Sequence, residues 1–195
     1  MRALVLIAHP CDDSFTHAAA DTAVTALEAA GHHVDVIDLY ACGFRAQMSY
    51  DERLAYETDN PISDPQVADH AGLLKRADVL VFVYPTWWSG LPAIMKGWLE
   101  RVLVPGVGFT LDERNRVVPG LKHVERIVGI STYGSPRTYV RLVNDSGRRT
   151  IARTLRLSCS LRTRTSWLAL YSMDTATDAD RRAFLTRITD RMASL

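Results

Sequence analysis

The sequence predicts an α/β fold built on a five-stranded parallel sheet with helices on both faces, and three observations carry that prediction. Strand-like and helix-like stretches alternate along the whole chain, as they do when parallel strands are joined by crossover helices. The stretch Asp78-Val79-Leu80-Val81-Phe82-Val83-Tyr84 is apolar without polar alternation, which suits a strand buried on both faces in the middle of such a sheet. It runs through Pro85-Thr86-Trp87-Trp88-Ser89-Gly90 into a segment from Leu91 to Val104, where Leu91, Ile94, Met95, Trp98, Val102 and Leu103 recur at helical spacing. The expected strand order is 2-1-3-4-5, which puts a ligand crevice between the loops after the first and third strands.

Each element has its own justification. Ala3 to Ala8 is a first buried strand, and Ser14 or Thr16 caps a helix that runs to about Ala30 with Ala20, Val24 and Leu27 inward; Gly31 stops it. Val34 to Leu39 alternates and makes a more exposed second strand. Residues 40–65 are polar and irregular, closed by Asn60-Pro61 and Asp64-Pro65, and a connection of that length is usually functional or covers a partner. A short helix from about Pro65 to Arg76 precedes the central strand. Phe109 to Val118 carries Asp112-Glu113-Arg114-Asn115 between apolar flanks and reads as a hairpin. A fourth strand spans Arg126 to Ser131, a helix about Thr138 to Leu157, and a fifth strand Thr165 to Leu170. A last helix opens on Thr177-Asp178-Ala179-Asp180, with Phe184, Leu185, Ile188 and Met192 inward. No repeat or linker divides the chain, so residues 1–195 are expected to form one domain.

Composition narrows the class. The 195 residues are 47% hydrophobic and 23% charged with a net charge of +1, ordinary for a water-soluble domain and without the strong field that nucleic acid or an acidic membrane calls for. The amino terminus enters a strand with no signal-peptide layout, and no apolar run has membrane-spanning length. Cys11, Cys42 and Cys159 are few, odd in number and far apart, which points to a reducing cytoplasmic compartment and to packing roles for Cys11 and Cys42.

Three loops are expected on the carboxyl edge of the sheet. In Pro85 to Gly90, adjacent tryptophans either plug the following helix against the sheet or line a ligand site, and neighbours on a turn usually point apart. The loop His9-Pro10-Cys11-Asp12-Asp13-Ser14-Phe15-Thr16-His17 has two chemical readings. The hydroxyls of Ser14 and Thr16 with free amides at a helix start suit a phosphate. Alternatively His9, Asp12 and Asp13 suit zinc, although Cys11 interrupts the His-Pro-Asp-Asp-Glu pattern of zinc deacetylases and no later His-x-x-His pair follows. Neither a G-x-G-x-x-G nor a P-loop signature is present. The third loop runs from Ser131 to Tyr139.

The segment Pro85-Thr86-Trp87-Trp88-Ser89-Gly90-Leu91-Pro92-Ala93-Ile94-Met95-Lys96-Gly97-Trp98-Leu99-Glu100-Arg101-Val102, with Gly106-Val107-Gly108-Phe109, resembles the signature of the flavodoxin-like NAD(P)H:quinone oxidoreductases. Ala8-His9-Pro10, Ser14-Phe15, Ser131-Thr132-Tyr133-Gly134 and Trp167 to Tyr171 extend the resemblance over nearly the whole chain. It implies a flavodoxin-like three-layer sandwich. It also implies a flavin, with His9, Ser14, Phe15 and Thr16 at its phosphate, although family members commonly carry Asn where Thr16 stands. Pro85, Thr86, Trp87 and Trp88 would lie along the ring, and the backbone from Ser131, Thr132 and Tyr133 to Gly134 at its pyrimidine edge. Tyr139 takes the place of a tyrosine that assists proton movement, and Asn144 and Asp145 stand where its histidine partner is found in animal members.

The activity implied is two-electron transfer from NAD(P)H to a quinone or similar electron-poor aromatic, in two half-reactions at one pocket and without a metal. The cofactor is FAD or FMN, with FAD favoured because Arg187 and Arg191 fall where relatives hold the adenine side. The pocket is completed by a second subunit in this family. A homodimer is also expected from Trp87, Trp88 and the apolar Phe44, Met48, Tyr50, Leu54 and Tyr56 of the 40–65 excursion. The same fold also serves as an ancillary subunit that regulates a membrane transport protein.

Overall fold

The computed structural model describes all 195 residues. β1 (Arg2–Ile7), β2 (His33–Asp38), β3 (Val79–Pro85), β6 (Arg126–Thr132) and β7 (Arg164–Leu170) form one parallel sheet in the order β2-β1-β3-β6-β7. The short antiparallel hairpin β4 (Phe109–Leu111) and β5 (Val117–Pro119) lies outside that sheet. The five main strands therefore stand in the order 2-1-3-4-5 when counted without the hairpin. β3 is buried along its whole length up to Tyr84, as an apolar central strand requires, while β2 at the edge is mostly exposed or half-buried.

One face is covered by α1 (Phe15–Ala29) and α7 (Asp178–Ala193), whose Phe184, Ile188 and Met192 pack with Val5, Val81 and Val128. Alanines at 19, 20, 23 and 26 let α1 sit close to the sheet. The other face is covered by α3 (Pro65–Leu74), α4 (Ala93–Val102) and the segment Thr150–Leu155, with Leu74, Trp98, Val102, Ile151 and Leu155 around Leu4, Leu80 and Phe82. Ser14 caps α1 by accepting from His17 N–H, and Thr177 and Asp180 make a reciprocal capping box on α7.

Three expectations are corrected. The excursion 40–65 is irregular except for one short helix that was not expected: Ser49 and Glu52 form a capping box that starts α2 (Tyr50–Ala55). Phe44 is buried in the core, stacked on His70 with ring centroids 5.5 Å apart, and so is no interface anchor. The excursion is held down by Arg101 of α4, only 2% exposed, which donates to Glu52 (2.7 Å), Asp64 (2.7 Å) and Arg45 O (2.6 Å) and covers the Phe44 ring. Close contact is built in at Gly97, where a Cβ would lie 2.0 Å from Ala46 O. Second, the single helix expected over Thr138 to Leu157 is three pieces: α5 (Arg137–Leu142), α6 (Ser146–Arg149) and a π-helical turn over Thr150–Leu155. Asn144 (φ 64°) and Asp145 (φ 30°) take left-handed conformations that end α5, and the Asp145 carboxylate then caps α6 through Arg148 N–H at 3.0 Å. Third, Cys11 and Cys42 are exposed rather than packed, and only Cys159 is buried.

Candidate functional site

The loops after β1, β3 and β6 meet at the carboxyl edge of the sheet, where parallel α/β sheets bind ligands. Their positions follow from how each strand ends.

After β3, the chain makes a two-residue turn. Trp87 and Gly90 exchange backbone hydrogen bonds of 3.2 and 3.0 Å, with Trp88 (φ 48°) and Ser89 (φ 57°) at its tip. Positive φ at both tip positions is the geometry of a type I′ turn, here achieved without glycine. The turn is pinned from behind: Ser89 O accepts from both the amide (3.2 Å) and the hydroxyl (2.7 Å) of Ser146 at the start of α6. Gly90 and Gly147 permit that approach, since a Cβ on Gly147 would lie 3.1 Å from Gly90 C. The result is an indole held out into solvent. Trp88 is 104% exposed and Trp87 40%, so neither plugs α4 against the sheet.

After β1, His9 Nδ1 accepts from Cys11 N–H at 3.1 Å and its ring lies 6.1 Å from that of Trp87, so the first and third expected strands' loops touch. His17 Nε2 is 2.8 Å from Asp38 Oδ2 and its Nδ1 3.0 Å from Ser14 Oγ, which ties the loop to the end of β2. Where Nε2–H donates to the carboxylate, Nδ1 accepts the Ser14 hydroxyl proton. What the loop offers an anion is therefore backbone: the amides of Phe15 and Thr16 open α1 without an acceptor in the chain. Thr16 itself is buried, and Phe15 packs towards Phe184 at 6.1 Å. His9, Asp12 and Asp13 form no cluster of three metal-binding side chains, and no such cluster occurs elsewhere.

After β6, Ser131 is buried with its Oγ 2.9 Å from Thr86 Oγ1, and the Tyr133 amide donates to Leu170 O at 2.9 Å. Of the Ser131 to Gly134 backbone, then, Tyr133 has no amide left for a ligand, whereas Gly134 and the following Ser135 have no acceptor in the chain. The Tyr133 side chain is the surprise. It is buried, stacked on Tyr171 at 4.9 Å, donates its hydroxyl proton to Asp145 Oδ2 at 2.8 Å and accepts from Trp167 Nε1 at 3.0 Å. Burial pushes its phenol well above the ordinary value, and the Asp145 charge adds to this, so it stays neutral. The Tyr84 phenol is likewise held well above its ordinary value by burial, with Tyr133 and Asp145 adding, and its buried hydroxyl has no partner. Trp167 lies flat on β6 because Gly129 leaves room, a Cβ there meeting the ring at 2.1 Å.

These walls enclose an open cleft of about 260 Å³ whose lining includes Thr86, Trp88, Tyr133, Gly134, Tyr139 and Asp145. Tyr139, 49% exposed, stands at its rim with its hydroxyl unpartnered. Of the site residues expected from the sequence, Thr86, Trp88, Tyr133, Gly134 and Tyr139 line this cleft, whereas Ser89, Ser135, Ser146 and the Tyr133–Asp145 pair were not foreseen. The Asn144-Asp145 dipeptide was the available signal, as a turn and helix-cap sequence inside an apparently continuous helix. Arg191 proves to be engaged at the other end of the sheet, donating to Ser166 Oγ (3.2 Å) and Ser194 Oγ (3.3 Å). Arg187 lies over Phe184 at 5.5 Å, on the side of the first loop.

Residues 1–181 match the Flavodoxin_2 family, described as a flavodoxin-like fold. NAD(P)H dehydrogenase (quinone) 1 of Rattus norvegicus is 32% identical over 153 residues, 71% of this chain and 56% of that protein. Ribosyldihydronicotinamide dehydrogenase-like protein traD of Penicillium crustosum is 35% identical over 131 residues, 59% of this chain and 48% of that protein. The chain thus spans about half the length of these curated relatives. Among solved structures, the NAD(P)H:quinone oxidoreductase from Methanothermobacter marburgensis superposes with a TM-score of 0.79 at 26% identity, over 100% of this chain and 95% of that one. With its sheet order, its carboxyl-edge cleft and residues 1–181 all in agreement, the chain belongs to the Flavodoxin_2 family of flavodoxin-like proteins.

Proposed function

We propose that the chain is a single-domain, flavin-dependent NAD(P)H:quinone oxidoreductase. The observation that carries this reading is the Trp88 indole, fully exposed on a turn pinned by Ser146, at the rim of a cleft whose opposite wall carries the free amides of Gly134 and Ser135. A protein gains nothing from holding a bare indole in water; a planar aromatic ligand gains a stacking surface from it. Matches to oxidoreductases named for quinones and NAD(P)H support the same reading.

The residues fit a flavin in their donor chemistry. The amides of Phe15 and Thr16, at the positive end of α1, suit its phosphate, with Ser14 and His9 holding that loop in shape. Pro85, Thr86, Trp87 and Trp88 would flank the ring, and the amides of Gly134 and Ser135 its polar edge; Ser131 and Thr132 serve by fixing Thr86 and the strand end. Bound there, a flavin supplies hydride exchange between a reduced nicotinamide and a quinone. The chain's own part is to stack, to offer donors where negative charge collects, and to place the Tyr139 hydroxyl as a proton donor at the rim. FAD is the form we propose, on Arg187 alone now that Arg191 is engaged elsewhere.

The assembly we propose is a homodimer in which a partner closes the cleft, on the strength of Trp88 together with exposed Tyr50 (77%) and Leu54 (58%) on α2. The exposed free thiols of Cys11 and Cys42 support a reducing, cytoplasmic setting, and no helix is long and apolar enough to cross a membrane. Incubating the purified chain with FAD and with FMN, removing the excess and weighing the retained flavin by mass spectrometry tests the cofactor assignment. Retained FAD is the expected result. Retention of FMN alone corrects the cofactor, and retention of neither overturns the proposal.

A further inference from the structure

Eight of the chain's arginines fall between Arg137 and Arg164, a segment whose only acidic residue is Asp145, in a protein of net charge +1. Five of them, Arg141, Arg148, Arg149, Arg153 and Arg156, line one open groove of about 520 Å³ beside the edge strand β7. Every ion pair in the molecule lies elsewhere, so none of the five has a carboxylate partner. Asp145, whose oxygens accept from the Tyr133 hydroxyl and the Arg148 amide, makes no ion pair with any of them. Arg156 is fixed by Thr163 O (2.9 Å) and Leu161 O (2.8 Å), and the Arg148 guanidinium lies 5.8 Å from the centre of the Trp167 ring. Arg141, Arg149 and Arg153 have no side-chain partner at all and are exposed.

The arrangement opposes the fold's own stability. Arg149 and Arg153 are four residues apart on a helical stretch, where like charges repel, and the π-helical turn over Thr150–Leu155 lies between Arg149 and Arg156. Such turns occur frequently at functional sites. An anion in the groove would relieve the repulsion, and arginine forks match phosphate oxygens two at a time. The groove is also continuous with the candidate cleft, since Val140 and Asp145 line both.

We propose that this groove binds the phosphates of the reducing coenzyme and selects the dinucleotide that carries an extra phosphomonoester, NADPH, over NADH. The proposal rests on the oxidoreductase reading, because it takes the nicotinamide end to occupy the cleft. A ligand with one end in the cleft and phosphates trailing past Val140 meets the unpaired guanidinium groups of Arg149 and Arg153 in turn. Arg148 and Arg156, already held in place, form the fixed floor.

The test uses the flavin-loaded protein and two probes that cannot turn over, adenosine 2′,5′-bisphosphate and 5′-AMP, titrated by calorimetry at fixed low salt. The bisphosphate is expected to bind about tenfold or more tighter, as added charge-assisted hydrogen bonds provide. That margin should shrink to about twofold in the Arg149→Ala/Arg153→Ala double variant, with the Arg149→Lys/Arg153→Lys pair in between because lysine keeps charge without the fork. In parallel, kcat/KM for NADPH over NADH should show the same ratio and the same collapse. Equal affinity for the two probes, or an undiminished margin in the alanine variant, overturns the proposal. So does a protein that binds heparin at this face yet ignores the bisphosphate, which would make the groove a general polyanion surface. Quinone reduction that uses NADH and NADPH equally sinks this inference alone. A protein without flavin that still prefers the bisphosphate through Arg149 and Arg153 sinks the oxidoreductase reading and leaves the phosphate groove standing.

Discussion

Asp145 shows what a single residue contributes here. Its carboxylate caps α6 and accepts the Tyr133 proton, so Asp145→Ala strands a buried phenol and uncaps a helix; a loss of about 1–3 kcal/mol in urea unfolding is expected. Asp145→Asn keeps a single acceptor oxygen, enough for the Tyr133 hydroxyl or the Arg148 amide but not both, and should lose less than the alanine variant; equal losses would show that one remaining acceptor stabilises nothing. Tyr139 belongs to the same cleft but its hydroxyl has no partner in the chain, so Tyr139→Phe should leave stability and flavin retention unchanged while slowing turnover about ten- to a hundredfold. An unchanged rate would reduce Tyr139 to shaping the rim. At this scale the sequence revealed residues whose oddity is local. Two tryptophans between a proline and a glycine are visible as letters. A tyrosine that meets an aspartate twelve residues later across a broken helix is not, because the break depends on Asn144 and Asp145 taking positive φ, and that in turn depends on Tyr133 being there to bond.

At the level of elements, α2 and α4 are joined by charge rather than by apolar burial alone. Arg101 is buried and holds Glu52 and Asp64 together, and breaking such an arrangement by removing its common partner typically costs about 3–5 kcal/mol. Arg101→Met is therefore expected to lower the urea midpoint and to expose the 40–65 excursion to proteolysis; wild-type resistance in this variant would mean that Phe44 and Gly97 suffice to hold it. Burial by itself would raise the carboxyls of Glu52 and Asp64, but hydrogen bonds from Ser49 and Gln66 amides and the Arg101 guanidinium outweigh it and hold both below their ordinary values. A carboxyl depressed in the folded state stabilises fully above its unfolded value and loses that stabilisation as pH falls through the folded one. Acid unfolding should thus steepen below the ordinary values of 4.5 and 3.8, and the step should diminish in Glu52→Gln/Asp64→Asn. The sequence held the sign of α2 in Ser49-x-x-Glu52, a capping-box pattern, but the helix is only six residues long and its stability lies in a partner on another element.

The sheet and both helical layers were legible from periodicity because they follow from repeated burial of apolar residues, as in the unbroken run of β3 and the inward Phe184, Ile188 and Met192 of α7, whereas the strand order came from the known topology of doubly wound sheets. Assembly was legible only in part. Of the excursion's apolar residues, Phe44 belongs to the core, while Tyr50 and Leu54 face outwards, so the surface is best probed by Tyr50→Ser/Leu54→Ser rather than by a deletion that would remove Phe44 and Glu52. Ultracentrifugation is expected to give twice the chain mass of 21.7 kDa for the wild type and a shift towards monomer in that variant; a wild-type monomer that keeps its flavin and full turnover would refute the shared cleft. The central claim, that the carboxyl edge of this sheet is a flavin site for quinone reduction, is tested most directly by one anaerobic absorbance titration of the flavin-loaded protein. One equivalent of NADPH per chain should bleach the flavin bands, and one equivalent of a benzoquinone should restore them; a protein whose bands persist after NADPH, or stay bleached after the quinone, would contradict it.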